Sequence, residues 1–338
     1  MSEWSEAAMN SVLGYAGKTH AVVGERFPLY AERSGEWVTT SRGSWAGGFW
    51  AGLLWLRALH SGSAEDLSAA AQMTARLAEW VGADTATRGL IFWYGTALAG
   101  NTIDDDAELG TKAAQACLDD FDHELGVLPW GSAFGGPRLL ARVDGVAGTV
   151  PLLAAASGIA MARAHLDTHL TRWRAEPVCT PAWVWTDGGW VAYRQPRPGW
   201  SRGRAWLLLA LADACRHIDA GYLATAEELI DPTAPLIPAA ELAPDAPLDT
   251  SAAAIEAVAL LKLAAVHHVP EQAQSLEDRA IEILEQLVTR HLSASGALLD
   301  GCYDLDRELA TAHELIWGDY FFALALAIHT GLVAPFDT

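Results

Sequence analysis

The amino-acid sequence predicts an all-α protein, an (α/α)6 barrel of about twelve helices in two concentric rings. The first observation behind this fold class is a short turn rich in Gly, Trp and Asp that runs into a strongly apolar helix. It occurs as SWAGGFWAGLLWLRAL (44–59), RVDGVAGTVPLLAAA (142–156), GWSRGRAWLLLALA (199–212), LDTSAAAIEAVALLKLA (248–264), ELIWGDYFFALALA (314–327) and, less regularly, GLIFWYGTALAG (89–100). A helix that is apolar on nearly every side must be buried all round. Six such helices at similar intervals indicate a repeated unit.

The second observation is that amphipathic helices alternate with the apolar ones. Helical periodicity with one polar face covers about 3–24, 64–82, 104–119, 158–173, 219–230 and 271–292. We expect these helices to form the outer wall of the barrel and the apolar helices the inner wall. If every inner helix begins at the same rim, the polar and aromatic openings meet there.

Strands are expected to be few. Residues 182–194 alternate around Asp187-Gly188-Gly189, which predicts a β-hairpin with a tight turn beside the barrel mouth. No Pro/Ser-rich linker divides the 338 residues, so we expect a single catalytic domain over 1–338.

Charge and composition limit the classes of partner. The formal charge of −20 argues against nucleic acid, and no block of Lys or Arg indicates an anionic membrane surface. The longest apolar stretch, 146–162, contains Pro151 and is predicted to be buried core rather than a membrane span. The four Cys lack metal or redox spacing, which predicts free thiols. The first residues, MSEWSEAAMN, are acidic and lack the basic-then-apolar order of a signal peptide, so none is expected. We expect a cytoplasmic protein with no metal and no cofactor, and the sequence predicts no oligomeric state.

Tryptophan marks the helix openings. The chain has 15 Trp, and several of them lie at the predicted rim rather than in helix middles. A rim Trp offers a flat apolar face with an N–H donor, which suits the C–H face of a sugar, although it could also only wedge helix ends together. The rim residues of this kind are Trp45, Trp50, Trp130, Trp200, Trp206 and Trp317.

Asp144 lies at the start of an otherwise uncharged run, 143–162. It could be the N-cap of the following helix, because Asp is favoured there. It could also be a general acid or base, because burial and a helix dipole act on its acidity in opposite directions. Both interpretations stay open on the residues alone, whereas Asp249 and Asp319 are expected to be caps.

Arg202 and Arg204 stand between two Trp at the start of a helix, where positive charge is unfavourable. A substrate carboxylate held by a guanidinium would compensate the charge. Salt bridges to Asp or Glu of a neighbouring helix would do the same.

Asp104-Asp105-Asp106 with Glu108 is similar to the acidic box that holds magnesium in helical terpene synthases. Acids in the first turn of a helix explain the same residues without metal. We find no second metal-binding box farther along, so a terpene synthase is a minor alternative.

Taken together, the chain resembles the unsaturated glucuronyl hydrolases, glycoside hydrolase family 88. The motifs that carry the resemblance are W-A-G-G-F-W-A-G-L-L-W (45–55), L-G-V-L-P-W (125–130), V-D-G-V-A-G-T-V-P-L-L (143–153), W-S-R-G-R-A-W (200–206), D-T-S-A-A-A-I (249–255) and L-I-W-G-D-Y-F-F (315–322). The resemblance implies an (α/α)6 barrel whose substrate is an anionic saccharide with a C4=C5 double bond in a terminal uronic acid. It implies that Asp144 protonates C4 and then acts as base toward water. Trp130, Trp200 and Trp206 would line the sugar site, and Arg202 would bind substrate.

The chain departs from the family pattern around the second acid. Where the family has His-Asp-Leu-Gly-Phe, this chain reads A-D-T-A-T-R-G-L-I-F (83–92), with Arg88 near the position of the Asp and Asp84 four residues upstream. Both are therefore candidate site residues, Asp84 as a catalytic acid and Arg88 as a substrate contact. Arg204 replaces the Gln of the family's W-x-R-G-Q-A-W motif and is a further candidate substrate contact. A substrate-contacting His of the family is absent before the hairpin.

These departures leave two further alternatives beside the hydrolase. The barrel could be an enzyme of a small-molecule biosynthetic pathway that uses Asp144 for another proton transfer on a sugar-like ligand. It could also be a binding protein that keeps the aromatic site without turnover.

Overall fold

The computed structural model describes residues 3–99, 104–176 and 178–338, and the side chains of 104–107 lie outside the description. Two sets of helices alternate along this part of the chain. The outer set is α1 (Glu3–Val23), α3 (Ala64–Ala75), α5 (Asp104–Asp119), α7 (Ile159–Trp173), α9 (Tyr222–Leu229) and α11 (Pro270–Arg290). The inner set is α2 (Gly47–Ser61), α4 (Tyr94–Thr96), α6 (Thr149–Ala155), α8 (Ser201–His217), α10 (Thr250–Val266) and α12 (Ile316–His329).

The inner helices form a closed ring. Each packs on the next in chain order, except that the π-turn at Gly89–Trp93 before α4, rather than α4 itself, packs on α6, and α12 packs back on α2. The outer helices lie against this ring, with α3 on α2, α7 on α6, α9 on α8 and α11 on α10. The predicted (α/α)6 barrel is confirmed, and it follows from the sequence because all-round apolar helices bury every face whereas amphipathic helices bury one.

The second inner segment, around α4, is the least regular, as its sequence indicates. A π-turn at Gly89–Trp93 precedes α4, and a 3₁₀ turn at Ala97–Ala99 follows it. The segment lies so close to α2 that a Cβ on Gly48 would be 2.1 Å from the carbonyl oxygen of Ile91. Only glycine permits two backbones to approach in this way.

A buried ion pair joins α8 and α10. Lys262 is fully buried in the apolar α10, and its Nζ donates hydrogen bonds to Asp213 Oδ1 of α8 and to the Thr338 carbonyl, each at 2.6 Å. Burial raises the pKa of Asp213, and the neighbouring lysine opposes that effect. The pair fixes two inner helices and the end of the described chain to one another.

Two small antiparallel sheets lie beside the helices. One contains β1 (Phe27–Ala31) between β2 (Trp37–Thr40) and β6 (Glu314–Leu315). In the other, β4 (Ala182–Thr186) lies between β3 (Leu140–Arg142) and β5 (Gly189–Ala192). The predicted hairpin near 182–194 is confirmed as β4 and β5, whereas β3 and β6, of three and two residues, are too short to give a periodic signal.

The structure also tests the expectations for the apolar stretch and for the cysteines. The apolar stretch 146–162 is divided, because α6 ends at Ala155 and Ser157 turns the chain with a positive φ of 63° before α7. Among the described residues, no helix combines the length and the apolar character that a membrane span requires. All four Cys are free thiols, as predicted.

Candidate active site

A cavity of about 320 Å³ opens at the rim where the inner helices begin. Residues from all six connections that lead into inner helices line it, so the predicted convergence of the openings is confirmed. The lining residues that carry the argument below are Trp45, Trp130, Arg142, Asp144, Trp200, Arg202, Trp206, Glu241, Tyr303, Asp304, Asp306 and Arg307.

Asp144 is placed in this cavity by a turn and not by a helix start. The chain leaves β3, makes a 3₁₀ turn over Val143–Gly145 and begins α6 only at Thr149, with Gly148 as its N-cap. Asp144 therefore does not cap α6, and that alternative is wrong. Its side chain is 13 % exposed, and its carboxyl group lines a cavity with several tryptophans.

Gly148 makes this turn possible. Its φ is +70°, and a Cβ at this position would be 2.4 Å from the carbonyl oxygen of Gly89. Because a side chain is excluded on both counts, the glycine determines how closely the Asp144 turn lies against the second inner segment.

Arg142 is the closest charged neighbour of Asp144, with its Nε 2.9 Å from Asp144 Oδ1. Its guanidinium carbon lies 4.8 Å from the ring centroid of Trp130 and 5.8 Å from that of Trp200, both within the range of cation–π attraction. Sequence reasoning missed this residue. The sequence gives no periodic signal for the pair, because β3 ends at Arg142 and Asp144 lies in the 3₁₀ turn that follows.

Four of the predicted Trp line the cavity, namely Trp45, Trp130, Trp200 and Trp206. The other two do not. Trp50 lies about one and a half helical turns beyond Trp45, is fully buried, and packs near His20 of α1 with ring centroids 6.2 Å apart. Trp317 is buried against Trp45, with ring centroids 4.7 Å apart, and supports it from behind.

Arg202 lines the cavity but is held by the protein. Its Nη1 donates to Asp249 Oδ2 at 2.5 Å and to the Cys302 carbonyl, and its Nη2 donates to the Tyr303 carbonyl at 2.7 Å. Asp249 is in turn the N-cap of α10, as predicted, and accepts a hydrogen bond from the Ser251 amide. The charge of Arg202 is thus compensated by a neighbouring helix.

Arg204 points away from the cavity. It pairs with Glu256 of α10 and donates to the Leu229 carbonyl at 3.2 Å. A substrate contact by Arg204 has no support from this placement and stays a prediction.

Asp84 and Arg88 do not line the cavity either. Asp84 accepts hydrogen bonds from Ser132 and Arg138, each at 3.0 Å, and so ties down the loop that carries Trp130. Burial alone would raise the pKa of Asp84, but the hydrogen bonds from Arg138 and Ser132 outweigh it and lower the pKa. Arg88 is buried and pairs with Asp120 at the end of α5. Their roles at the site stay predictions.

A second group of charges lines the cavity from the connections before α10 and α12, namely Glu241, Asp304, Asp306 and Arg307. Arg197, from the connection before α8, lies outside the lining and pairs with two of them. Arg197 Nε lies 2.5 Å from Asp306 Oδ1, and its Nη1 lies 3.6 Å from Glu241 Oε2. The pKa of Glu241 is raised. Burial is the largest cause, the nearby Asp306 and Asp304 add to it, and Arg197 opposes it. The sequence gives no periodic signal for these residues, because they lie in irregular connections.

The remaining acidic candidates lie elsewhere. The side chains of Asp104, Asp105 and Asp106 are outside the described residues. Glu108 pairs with Lys112 along α5 of the outer ring, with 2.9 Å between Nζ and Oε1. Asp319 does not cap α12, which begins at Ile316, so that prediction is wrong.

Comparison with known proteins places the fold among the unsaturated glucuronyl hydrolases. No protein-family model matches the chain. The unsaturated glucuronyl hydrolase of Bacillus sp. (strain GL1) is 23 % identical over 369 residues, which cover 96 % of each chain. The resemblance inferred from the motifs is confirmed.

Solved structures extend the similarity to the whole barrel. The crystal structure of the Bacillus sp. GL1 enzyme superposes with a TM-score of 0.84 at 21 % identity, covering 96 % of each chain. An unsaturated glucuronyl hydrolase specific for heparin gives a TM-score of 0.87 at 18 % identity, covering 98 % of this chain and 99 % of that one. The chain therefore shares the fold of these enzymes nearly end to end.

Proposed function

We propose that this protein is a glycoside hydrolase that hydrates the C4=C5 double bond of a terminal unsaturated uronyl sugar. The observation that carries the proposal is Asp144, a carboxylate beside Arg142 in a tryptophan-lined cavity at the barrel rim. The end-to-end similarity to unsaturated glucuronyl hydrolases supports the same substrate class.

The chemistry needs one carboxyl where ordinary glycoside hydrolysis needs two. The C4=C5 bond with the ring oxygen forms a vinyl ether. Asp144 in its acid form donates a proton to C4, and the positive charge develops at C5 and the ring oxygen. Asp144 as carboxylate then takes a proton from water while the water oxygen bonds to C5. The hemiketal opens and releases the aglycone, and Asp144 is again protonated.

The tryptophans suit the two faces of this substrate. The rings of Trp130 and Trp200 lie at the cavity wall and are more than nine-tenths buried. The unsaturated sugar is flattened at C4 and C5, so an aromatic face can cover it and exclude bulk water. The electron-rich face also stabilises positive charge that develops at C5 in the transition state.

The substrate pair that tests the proposal differs only in the double bond. The wild-type protein is incubated with a Δ4,5-unsaturated uronyl disaccharide and with its saturated glucuronyl counterpart, and released aglycone is quantified. We expect release from the unsaturated disaccharide alone. Release from the saturated disaccharide at a similar rate would indicate ordinary glycoside hydrolysis, and no release from either would contradict the proposal.

A further inference from the structure

The cavity has three lining arginines, each beside an acidic side chain, and they differ in how far their hydrogen bonds are already used. Both terminal nitrogens of Arg202 already donate hydrogen bonds, to Asp249 and to the backbone carbonyls of Cys302 and Tyr303. Arg307 is 76 % exposed and lies 3.6 Å from Asp304, three residues earlier in the same turn. Arg142 is therefore the lining cation to consider for an anionic ligand.

Arg142 makes no side-chain hydrogen bond with any described residue. Its Nε and Asp144 Oδ1 are 2.9 Å apart, yet they are not aligned as donor and acceptor, and both atoms are buried without a hydrogen-bond partner in the described chain. The geometry leaves a donor and an acceptor side by side at the cavity wall.

The surroundings hold Arg142 in place without using its hydrogen bonds. The side chain is 27 % exposed, and its guanidinium lies over Trp130 and near Trp200. Strand β3, which ends at Arg142, pairs with β4 of the hairpin, with Arg142 opposite Ala182. The guanidinium is thus pre-organised, which lowers the entropy lost when it binds a planar anion.

We propose that Arg142, and not Arg202, binds the carboxylate of the unsaturated uronyl sugar. This inference rests on the proposed function and deepens it. The carboxylate is attached to C5, and C4 is the next ring atom. A carboxylate bound to the guanidinium therefore brings C4 beside Asp144, because the guanidinium Nε and Asp144 Oδ1 are adjacent. Arg142 selects an acidic sugar and orients the carbon to be protonated.

The test compares a free carboxylate with its methyl ester. Wild type, Arg142→Gln, Arg142→Lys and Arg163→Gln are assayed on an unsaturated uronyl disaccharide and on its methyl ester. Arg163 is a matched control outside the cavity: its Nη2 lies 3.2 Å from Asp219, and its guanidinium lies 5.6 Å from the Tyr222 ring. Thermal melts confirm that each variant is folded.

We expect Arg142→Gln to raise KM for the free acid about 10- to 100-fold, the effect of losing a charged hydrogen bond. The ester should change little, because it carries no charge to lose. Arg142→Lys should recover part of the loss, since lysine keeps the positive charge but cannot offer two parallel N–H donors to the carboxylate. Arg163→Gln should match wild type. Equal losses on acid and ester, or no loss on either, would overturn the inference.

A binding measurement separates this inference from the proposed function. Calorimetry of the unsaturated disaccharide with Asp144→Asn and with the Asp144→Asn/Arg142→Gln double variant needs no turnover. Weaker binding by the double variant supports the carboxylate role even if the wild type consumes no substrate. Equal affinity, or no binding to either variant, overturns the role even if the wild type is active.

Discussion

Because Arg202 is held within the protein by Asp249, Asp249→Asn should cause a large loss of stability. Asn keeps the volume of Asp249 and an oxygen that can accept from Ser251, so the cap of α10 is preserved. What it removes is the charge opposite Arg202, which is 3 % exposed. Leaving one member of a buried pair without its partner costs about 3–5 kcal/mol.

Urea unfolding followed by far-UV circular dichroism measures this loss. With a slope of about 3 kcal/mol per molar urea, the midpoint should fall by about 1–1.7 M. Asp219→Asn is the matched control, because Asp219 pairs with Arg163 at the surface and an exposed pair contributes little. Its midpoint should stay near that of wild type.

The result that would refute the reasoning is equally specific. If Asp249→Asn unfolds at the wild-type midpoint but loses affinity for substrate, Arg202 is a binding residue and not part of the framework. The inference for Arg142 would then lose the argument that Arg202 is already engaged.

Three further predictions follow from buried groups and from one turn. Lys262→Met should lower the free energy of unfolding, measured in urea, by about 3–5 kcal/mol, because it leaves Asp213 buried without its partner. Adding Asp213→Leu should restore most of the loss, because two apolar residues can replace a buried ion pair. A double variant no more stable than the single one would contradict this. Burial raises the pKa of Glu314 and of the neighbouring Asp319, so the native protein keeps protons that the unfolded chain releases. Stability from this pair is full at acidic pH, below the pKa values of the unfolded chain, and is lost as the pH rises through the raised pKa values of the folded state. Urea midpoints at pH 5 and pH 8 should differ less in Glu314→Gln than in wild type, and an unchanged difference would exclude Glu314 as the source. Gly148→Ala should reduce both stability and turnover, because φ is +70° and the new Cβ would lie 2.4 Å from a backbone carbonyl oxygen. Gly331→Ala has a similar φ of +73° but open space, so it isolates the strain, and equal effects of the two substitutions would argue against the clash.

The barrel could be predicted from the sequence because its signal is periodic and repeated. Each inner helix is apolar on every face, as in α10, where the residues from Thr250 to Leu263 are all buried. The irregular segment near residue 90 was also indicated, because its glycines and aromatics follow no helical period. The helix boundaries are predicted less accurately, because the helix expected over 64–82 ends at Ala75 and continues as a 3₁₀ turn to Trp80.

The site could be predicted only in part. Asp144 and four tryptophans were found because they lie in the repeated openings. Arg202 and Arg204 point to different faces of α8, as their i, i+2 spacing on a helix requires. The spacing alone does not show which of the two faces the cavity. Glu241 and Tyr303 were missed because they reach the cavity from irregular connections, where tertiary contacts and not local pattern determine their position.

The central claim is that Asp144 transfers the proton that consumes the double bond. The most direct measurement is the loss of ultraviolet absorbance of an unsaturated uronyl disaccharide, compared between wild type, Asp144→Asn and the Asp219→Asn control. A general acid and base contributes about 10²- to 10⁴-fold to the rate, so Asp144→Asn should be slower by at least that lower figure while Asp219→Asn matches wild type. If Asp144→Asn consumes the substrate at the wild-type rate, the account is contradicted.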